Sequence, residues 1–303
     1  MWSVAAMVLA FIFGGFWLPH LYVSIFCRSQ NLKEKYKAKW ALVTGASSGI
    51  GKALATQLAA QGLNVVLVAL DDAVLDNTYL ELKSQFKKIE FIKVGANLGS
   101  AESGYMEKLA KATEKLDIQI VFCNAGYMLT GFFHKTTSEA QCMNMECNAG
   151  SAVKITHLFL TRMLQKKRKG CIVFTSSAAA IMPSPFSVMY ASTKAFISSF
   201  GASLAAEVKA KGVDVCVIHP SPVASNFYDK AHKLGALEFF KKFSVAPDAL
   251  PDLMFGAIGR CVHRDIGAVA VAFRMLVKVM DFGLLAWITA STAHTMEDYK
   301  KHA

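Results

Sequence analysis

The chain has 303 residues, 53% of them apolar, and a net charge of +11 from 33 Lys and Arg against 22 Asp and Glu. That is long against a prior of roughly 150 residues per domain, yet α/β domains of 200–250 residues are routine, and the apolar content is enough for a large core with surplus. The basic excess would suit nucleic acid, an anionic membrane or an anionic substrate, but no base-stacking aromatics run among the lysines, which excludes nucleic acid as the expected partner.

Residues 1–27 contain no Asp, Glu, Lys or Arg and are dominated by Val, Leu, Ile, Phe and Trp. About twenty apolar residues cross a bilayer, so the segment is long enough to span one. A secretory leader would begin with positive charge, whereas here Arg28, Lys33, Lys35, Lys37 and Lys39 follow the apolar run. The positive-inside tendency then places everything after Arg28 in the cytosol. Pro19 is expected to kink the helix or to end it, leaving residues 21–27 at the interface. The competing readings are a buried helix of the globular domain and a cleaved presequence.

Residues 40–43 form an apolar run that stops at Thr44-Gly45-Ala46-Ser47-Ser48-Gly49-Ile50-Gly51. Ile50, Leu54 and Leu58 then recur at helical spacing up to Gly62. Strand, glycine turn and helix in that order is the context of a phosphate-binding loop. Gly45 permits the tight turn, Gly49 lets backbone approach a pyrophosphate, and Gly51 lets helix and strand pack. Residues 64–69 read as a strand buried on both faces. Past its end, Asp71 and Asp72 stand about 20 residues after the loop, where an acidic residue can hold ribose hydroxyls. A 2′-phosphate would call for Arg or Lys there, so the cofactor leans to NAD(H) over NADP(H). The alternative is that one of the two merely caps the helix beginning near Leu75. Residues 89–94 are expected as a third strand, leading to Asn97, and residues 100–116 as the next helix.

Residues 118–122 read as a fourth strand ending at Cys123-Asn124-Ala125-Gly126. Asn148 is expected to open a helix with Val153, Ile155, Phe159 and Met163 on its apolar face. Residues 171–175, the fifth strand, deliver Ser176 and Ser177 at their C-terminal end, where doubly wound sheets bind ligands. Tyr190 and Lys194 then share one helix face, and Phe196, Phe200, Leu204 and Val208 are expected to be its buried stripe. A free phenol titrates near ~10. A neighbouring cation lowers that value and makes the tyrosine usable in proton transfer. The seven cysteines are scattered without zinc-ligand spacing, so they read as reduced thiols, and no metal is expected.

The glycine pattern from Thr44 to Gly51, Asn-Ala-Gly at 124–126, Ser177 thirteen residues before Tyr190, and Tyr-x-x-x-Lys resemble a short-chain dehydrogenase/reductase over residues 40 to about 225. The resemblance implies one Rossmann-like, doubly wound parallel sheet with helices on both faces, joined here by the N-terminal membrane helix and a C-terminal amphipathic helix. It implies Tyr190 as general acid or base, Lys194 as the group that tunes it and holds the nicotinamide ribose, Ser177 on the substrate carbonyl, and Asn148 positioning a relay water. It implies NAD(P)(H) held by Gly45, Ser47, Ser48, Gly49, Ile50, Gly51, Asp71, Asn97, Asn124, Ala125, Gly126, Tyr190, Lys194, Pro220 and Val223. Three positions depart from the family pattern: Cys123 for a first Asn, Asn97 for an adenine-contacting Asp, and Ser221 where Pro-Gly usually follows the sixth strand.

Residues 213–219 are expected as that sixth strand, and residues 234–243, with Phe239, Phe240 and Phe243, as an amphipathic flap or an ordinary surface helix. Residues 266–273 are expected as a last strand and 275–290 as a helix with Arg274, Lys278 and Asp281 on one side. That polar stripe suits a helix at the membrane surface or over the site, not a second span. Lys300 and Lys301, fourth and third from the end, resemble a dilysine retrieval address of the endoplasmic reticulum. The expected organisation is an anchor at 1–27, a basic juxtamembrane linker at 28–39, a catalytic domain at 40–264, and a last strand, membrane-proximal helix and tail at 265–303. This layout is similar to the 17β-hydroxysteroid dehydrogenase and very-long-chain 3-oxoacyl-CoA reductase group. That implies ketone–alcohol conversion on a hydrophobic lipid, long-chain 3-oxoacyl-CoA or steroid, at the endoplasmic-reticulum membrane facing the cytosol, and a homodimer through the helices at Asn148 and Tyr190. Two alternatives stand beside it: an NAD-dependent retinol or hydroxysteroid dehydrogenase, and an inactive membrane-associated scaffold.

Overall fold

The computed structural model describes residues 2–100, 102, 104–229, 232 and 234–302. Met1 of the expected anchor, Ala101 and Ser103 of the expected fifth-helix region, and Ala303 of the expected retrieval address lie outside the described residues. Seven strands form one parallel sheet in the order β3-β2-β1-β4-β5-β6-β7. They are β1 Trp40–Thr44, β2 Asn64–Ala69, β3 Phe91–Gly95, β4 Ile118–Cys123, β5 Gly170–Thr175, β6 Val213–Pro220 and β7 His263–Ile266. The order reverses between β1 and β4, which opens the crevice at the strands' C-terminal ends where such sheets bind ligands.

The helices that flank the strands explain why those strands read as continuous apolar runs. Ala41 and Val43 of β1 face one core with helices α3 Gly49–Ala60 and α4 Ala73–Gln85. Trp40 and Leu42 face the other, with α5 Tyr105–Ala112, α7 Ser151–Gln165 and α8 Val188–Val208. A strand covered on both sides favours apolar side chains, and buried polar exceptions such as Gln119 of β4 and Arg264 and Asp265 of β7 are held by hydrogen bonds.

At the N-terminus, α1 Trp2–Phe26 runs straight through Pro19, so the proline does not end the helix. The basic segment after it is folded onto the domain. In α2, Leu32–Tyr36, Leu32 and Tyr36 are buried, the Tyr36 hydroxyl donates to Asp214 at 2.6 Å, and Gln30 donates to the carbonyls of Phe255 and Ile258. The side chain of Arg264 reaches back to the His20 carbonyl and the Ser24 hydroxyl, tying α1 to β7.

Other expectations are corrected as well. Asn148 does not open a helix: α6, Ser138–Met145, continues through a π-helical turn at Glu146–Gly150 into α7, and Asn148 lies in that turn. The helix expected at 100–116 begins only at Tyr105, after Gly104 in the left-handed region. The buried stripe of α8 is Tyr190, Lys194, Ile197, Gly201, Ala205 and Val208, whereas Phe196 is 49% exposed and stacks on Phe200. Gly201 shows why, because a Cβ there would come within 2.4 Å of Val217; of the expected stripe Val208 is buried and Phe200 and Leu204 pack partly on the same core, and Phe196 alone is turned out. Residues 266–273 are not a strand: β7 ends at Ile266, Gly267 turns at φ +90°, and α11 Ala268–Val279 begins. Nor is 275–290 one helix, since Asp281 caps a new one, α12 Phe282–Thr292, by accepting from the Leu284 amide. The remaining helices are α9 Gly235–Lys241, α10 Leu250–Ala257 and α13 Glu297–His302.

Candidate active site

The loop between β1 and α3 turns on two glycines in the left-handed region, Gly45 at φ +65° and Gly49 at φ +52°. Gly51 has a packing reason instead: a Cβ on it would stand 1.9 Å from the Gly45 carbonyl oxygen. Ser48 occupies the N-cap of α3 without closing it by a side-chain bond, so the first amides of that helix stay open toward an anion. The carbonyl of Ser47 accepts from Thr78 at 2.8 Å, which fixes the loop to α4. The hydroxyl of Thr44 accepts from the amides of both Asn124 and Ala125 at 2.9 Å, joining this loop to the Asn-Ala-Gly turn after β4. The Asn124 side chain donates to the Thr44 carbonyl and accepts from Thr175, bridging β1 to β5.

The two aspartates separate. Asp72 accepts from the amides of Val74 and Leu75, so it is the cap of α4. Asp71 lies against the end of β3, where a Cβ on Gly95 would meet its carboxylate carbon at 2.3 Å. Asn97 closes its own turn by accepting from the Gly99 amide.

At the mouth of β5, Ser177, Tyr190 and Lys194 are brought together with Asn148. Lys194 is 4% exposed and donates to the Thr175 carbonyl at 2.8 Å. Burial lowers its pKa to about 8. Its Nζ is 5.7 Å from the centroid of the Tyr190 ring. Burial pushes the Tyr190 phenol well above its usual range, the half-buried Tyr228 phenol nearby adds to this, and Ser177 opposes it by hydrogen bonding. Tyr190 therefore keeps its proton at neutral pH and stands as a donor, and the expected downward pull from Lys194 is not among the influences on it, the opposing one being Ser177. The Asn148 oxygen accepts from the Tyr127 amide at 2.9 Å, and its amide donates to the Tyr127 carbonyl at 3.0 Å. A Cβ on Gly126 would fall 3.0 Å from the Asn148 oxygen and 3.2 Å from Lys194 Nζ, so this glycine leaves the opening between them.

A model of the short-chain dehydrogenase family matches residues 39–233, which include the glycine loop, Asn148, Ser177, Tyr190 and Lys194. The chain belongs to the short-chain dehydrogenase family. It is 38% identical over 64% of its length to the very-long-chain 3-oxoacyl-CoA reductase of Schizosaccharomyces pombe, of which the match covers 60%. It is 34% identical over 62% of its length to 17-beta-hydroxysteroid dehydrogenase type 3 of Mus musculus, of which the match covers 61%. The chain thus spans less than two thirds of these curated relatives. A solved 7beta-hydroxysteroid dehydrogenase superposes with a TM-score of 0.73 at 27% identity, covering 82% of this chain and 95% of that one.

The departures of this short-chain dehydrogenase from its family pattern have local reasons. Cys123 is packed in the core beside Thr156 and Ala152, where burial raises its thiol to about 12. Ser221 accepts from the Ala270 amide at 3.0 Å and so caps α11, which lacks a side-chain cap of its own. Pro220 ends β6, and Val223 bridges to Val245, holding the chain beyond the sheet. Sequence reasoning missed Thr44 and Thr175 as tethers and Phe227, whose ring lies 5.8 Å from that of Tyr190. A threonine at the end of an apolar strand was the available signal for the first two; nothing in the sequence marked the third. Among the described residues no cluster of His, Cys, Asp and Glu could hold a metal ion.

The family implies a nicotinamide dinucleotide, and the residues fit one. The uncapped helix start and the glycines suit its phosphates, and the space kept by Gly126 lies between Asn148 and Lys194.

Proposed function

We propose that the protein is an NAD(P)(H)-dependent oxidoreductase that interconverts a ketone and a secondary alcohol on a hydrophobic lipid, long-chain 3-oxoacyl-CoA or steroid. The observation that carries this reading is the convergence of the Ser177 hydroxyl and the proton-loaded Tyr190 phenol beside the buried Lys194. The glycine loop, Asp71, Asn97, Asn124, Ala125, Gly126 and the start of the loop after β6 hold the dinucleotide. When bound, it supplies or takes up the hydride. The protein's part is proton and charge handling: as negative charge grows on the substrate oxygen, two hydroxyl donors meet it. Tyr190 gives up its proton there during reduction. Lys194, held by Thr175, and Asn148, held by Tyr127, stand behind it as the proton's return path.

The hydrophobic partner and the membrane are supported by one face of the molecule. Residues Ala6–Phe26 of α1 are long and apolar enough to cross a bilayer, with 6% of that span buried. Helix α11 packs against α1, and α12 beyond it buries only Leu285 while exposing Phe282, Leu284 and Trp287. A cytosolic domain is supported by the basic residues after α1, and placement at the endoplasmic reticulum by Lys300 and Lys301. A homodimer through the α6–α7 and α8 helices is supported by the exposed Phe196 stacked on Phe200.

The test is titration of NADH and NADPH followed by turnover of long-chain 3-oxoacyl-CoA and of a steroid ketone, for wild type and Tyr190→Phe. Dinucleotide binding in both proteins with turnover lost in the variant is expected. A wild type that binds neither dinucleotide leaves the scaffold reading.

A further inference from the structure

The last helix of the chain is not a loose basic tail. Asp298 on α13 is 5% exposed although its neighbours on that short helix are mostly solvated, and its Oδ1 accepts from the Gly235 amide at 2.8 Å. Gly235 is the first residue of α9, whose own N-cap, Leu234, provides no side-chain acceptor. Asp298 therefore does for α9 what a capping residue in sequence would do, from 63 residues away. The next residue, Tyr299, puts its ring 5.1 Å from Phe132 at 84° and 6.4 Å from Phe186 at 66°. Those two rings meet each other at 5.3 Å and 87°, which makes an edge-to-face trio.

Each contact has a position relative to the chemistry. Phe132 follows the Asn-Ala-Gly turn, and Phe186 precedes Tyr190 by four residues. Phe186 holds φ +63°, a region a bulky side chain rarely enters, and its carbonyl accepts from Gly131 at 2.7 Å. On the other side, α9 places Phe240 against Phe273 of α11 and against the cluster around Ala178, the residue after Ser177. Its Lys241 lies 5.1 Å from the ring centre of Tyr228, beside the Phe227 that covers Tyr190. One short helix thus joins α9, which packs against Phe273 and the Ala178 cluster, to the loops that carry Phe132 and Phe186.

We propose that Asp298 and Tyr299 are positioning residues for the substrate: they clamp α9 to the Phe132–Phe186 wall and so form the outer end of an apolar channel suited to an elongated chain. This rests on the ketone–alcohol reading for its substrate class, while the clamp itself is a statement about α9 alone. A residue that holds the distal channel contributes to binding the far part of the substrate and leaves the transfer step untouched.

The full-length protein, Asp298→Ala, Tyr299→Ala and Tyr299→Phe are compared. Three readouts are taken: KM and kcat with short and long 3-oxoacyl thioesters, dinucleotide Kd, and hydrogen exchange across residues 235–241. For Asp298→Ala and Tyr299→Ala we expect KM for the long substrate to rise about tenfold. The short substrate, kcat and dinucleotide Kd should change less than about twofold. Tyr299→Phe keeps the ring trio and should behave as wild type. Exchange at 235–241 should quicken in Asp298→Ala while the β4 and β5 amides stay protected, which separates loss of the clamp from misfolding. Unchanged exchange at 235–241, or equal KM changes for short and long substrates, overturns the proposal. If wild type turns over no ketone, the functional reading fails and the exchange result alone decides the clamp.

Discussion

The Lys194 ammonium lies 5.7 Å from the centre of the Tyr190 ring, and burial acts on the two groups in opposite directions, raising the phenol and lowering the ammonium to about 8. Both changes favour the neutral form, as desolvation must. At pH 7 the pair holds both protons, the state that reduction needs. Reduction should therefore fall as pH rises through about 8, where Lys194 loses its charge, and oxidation should gain over the same interval. Profiles of kcat/KM in both directions check this. A reductive profile flat from about pH 6 to 10 would remove Lys194 from the proton path.

Burial of Lys194 also costs stability. The folded value of about 8 lies below the ordinary 10.5, so the unfolded chain binds the proton more tightly. The penalty is complete below the folded value and fades as pH rises from about 8 to 10.5. Lys194→Met removes the buried charge and also the bond to Thr175. Each tenfold change in proton affinity is worth roughly 1.4 kcal/mol, and the lost bond costs about 1 kcal/mol. The variant should therefore gain on the order of 2 kcal/mol at pH 7. Near pH 10.5 the penalty has faded and the lost bond remains, so the variant should be less stable than wild type by about 1 kcal/mol. Tm measured at both pH values reads this, and a variant less stable than wild type at pH 7 contradicts it. Activity should be lost in either case, the trade expected where a site stores strain.

What was legible in the sequence follows from which forces are local. The Tyr190–Lys194 pair could be read because one turn of helix fixes it, and the first six strands because burial on two faces favours apolar residues, whereas β7, His-Arg-Asp-Ile, carries no apolar run. The stripe on α8 was legible only in part, with Val208 buried and Phe200 and Leu204 packed partly on the core, because size is a poor guide to burial at the other positions. Gly201 and Ala205 face the sheet, and the larger Phe196 is left outside. The alternating residues from Ala268 to Phe273 carry a strand-like pattern, yet the α11 amide is met by Ser221, 49 positions away. The π-helical turn at Asn148 and the cap from Asp298 likewise depend on partners remote in sequence, so no local pattern reports them.

Asn148 is held by the Tyr127 amide and carbonyl at once, with further bonds to Asn144 and Thr193. Asn148→Ala would leave the Tyr127 amide without its partner, at about 1–3 kcal/mol, while the Tyr127 carbonyl keeps its bond from Asn144 at 2.9 Å. Tm should fall by several degrees and turnover by about 10²-fold or more. Gly126→Ala is the sharper variant. Its Cβ would meet the Asn148 oxygen at 3.0 Å and Lys194 Nζ at 3.2 Å, so dinucleotide Kd should weaken with little change in Tm. An unaltered Kd would show that the space between those groups is not used.

Asp71 and Asp72 are adjacent and make opposite predictions. Asp72 caps α4 through the Val74 and Leu75 amides, so Asp72→Ala should cost about 1 kcal/mol of stability and leave cofactor preference alone. Asp71 does not share that cap. Asp71→Ala should weaken NADH binding by about tenfold relative to NADPH, the scale of losing a hydrogen bond to a charged group. Fluorescence titration of both dinucleotides on both variants checks it. An equal change for NADH and NADPH in Asp71→Ala would show that the ribose is not held there and would favour an NADPH-linked reductase.

The apolar residues of α12 make the membrane reading testable apart from α1. Phe282, Leu284 and Trp287 are 54%, 49% and 67% exposed, and little in the domain depends on them. Burying three such side chains in lipid is favourable by roughly 1.5–3 kcal/mol each when complete. Lys278, on the preceding helix, adds attraction to anionic headgroups. Protein lacking residues 1–27 should therefore still sediment with anionic vesicles. Replacing all three residues by serine should release it while leaving the fold intact, because none of the three is buried. If the truncated protein stays in the supernatant before any replacement, α12 is not a membrane contact, and anchorage would rest on α1 alone.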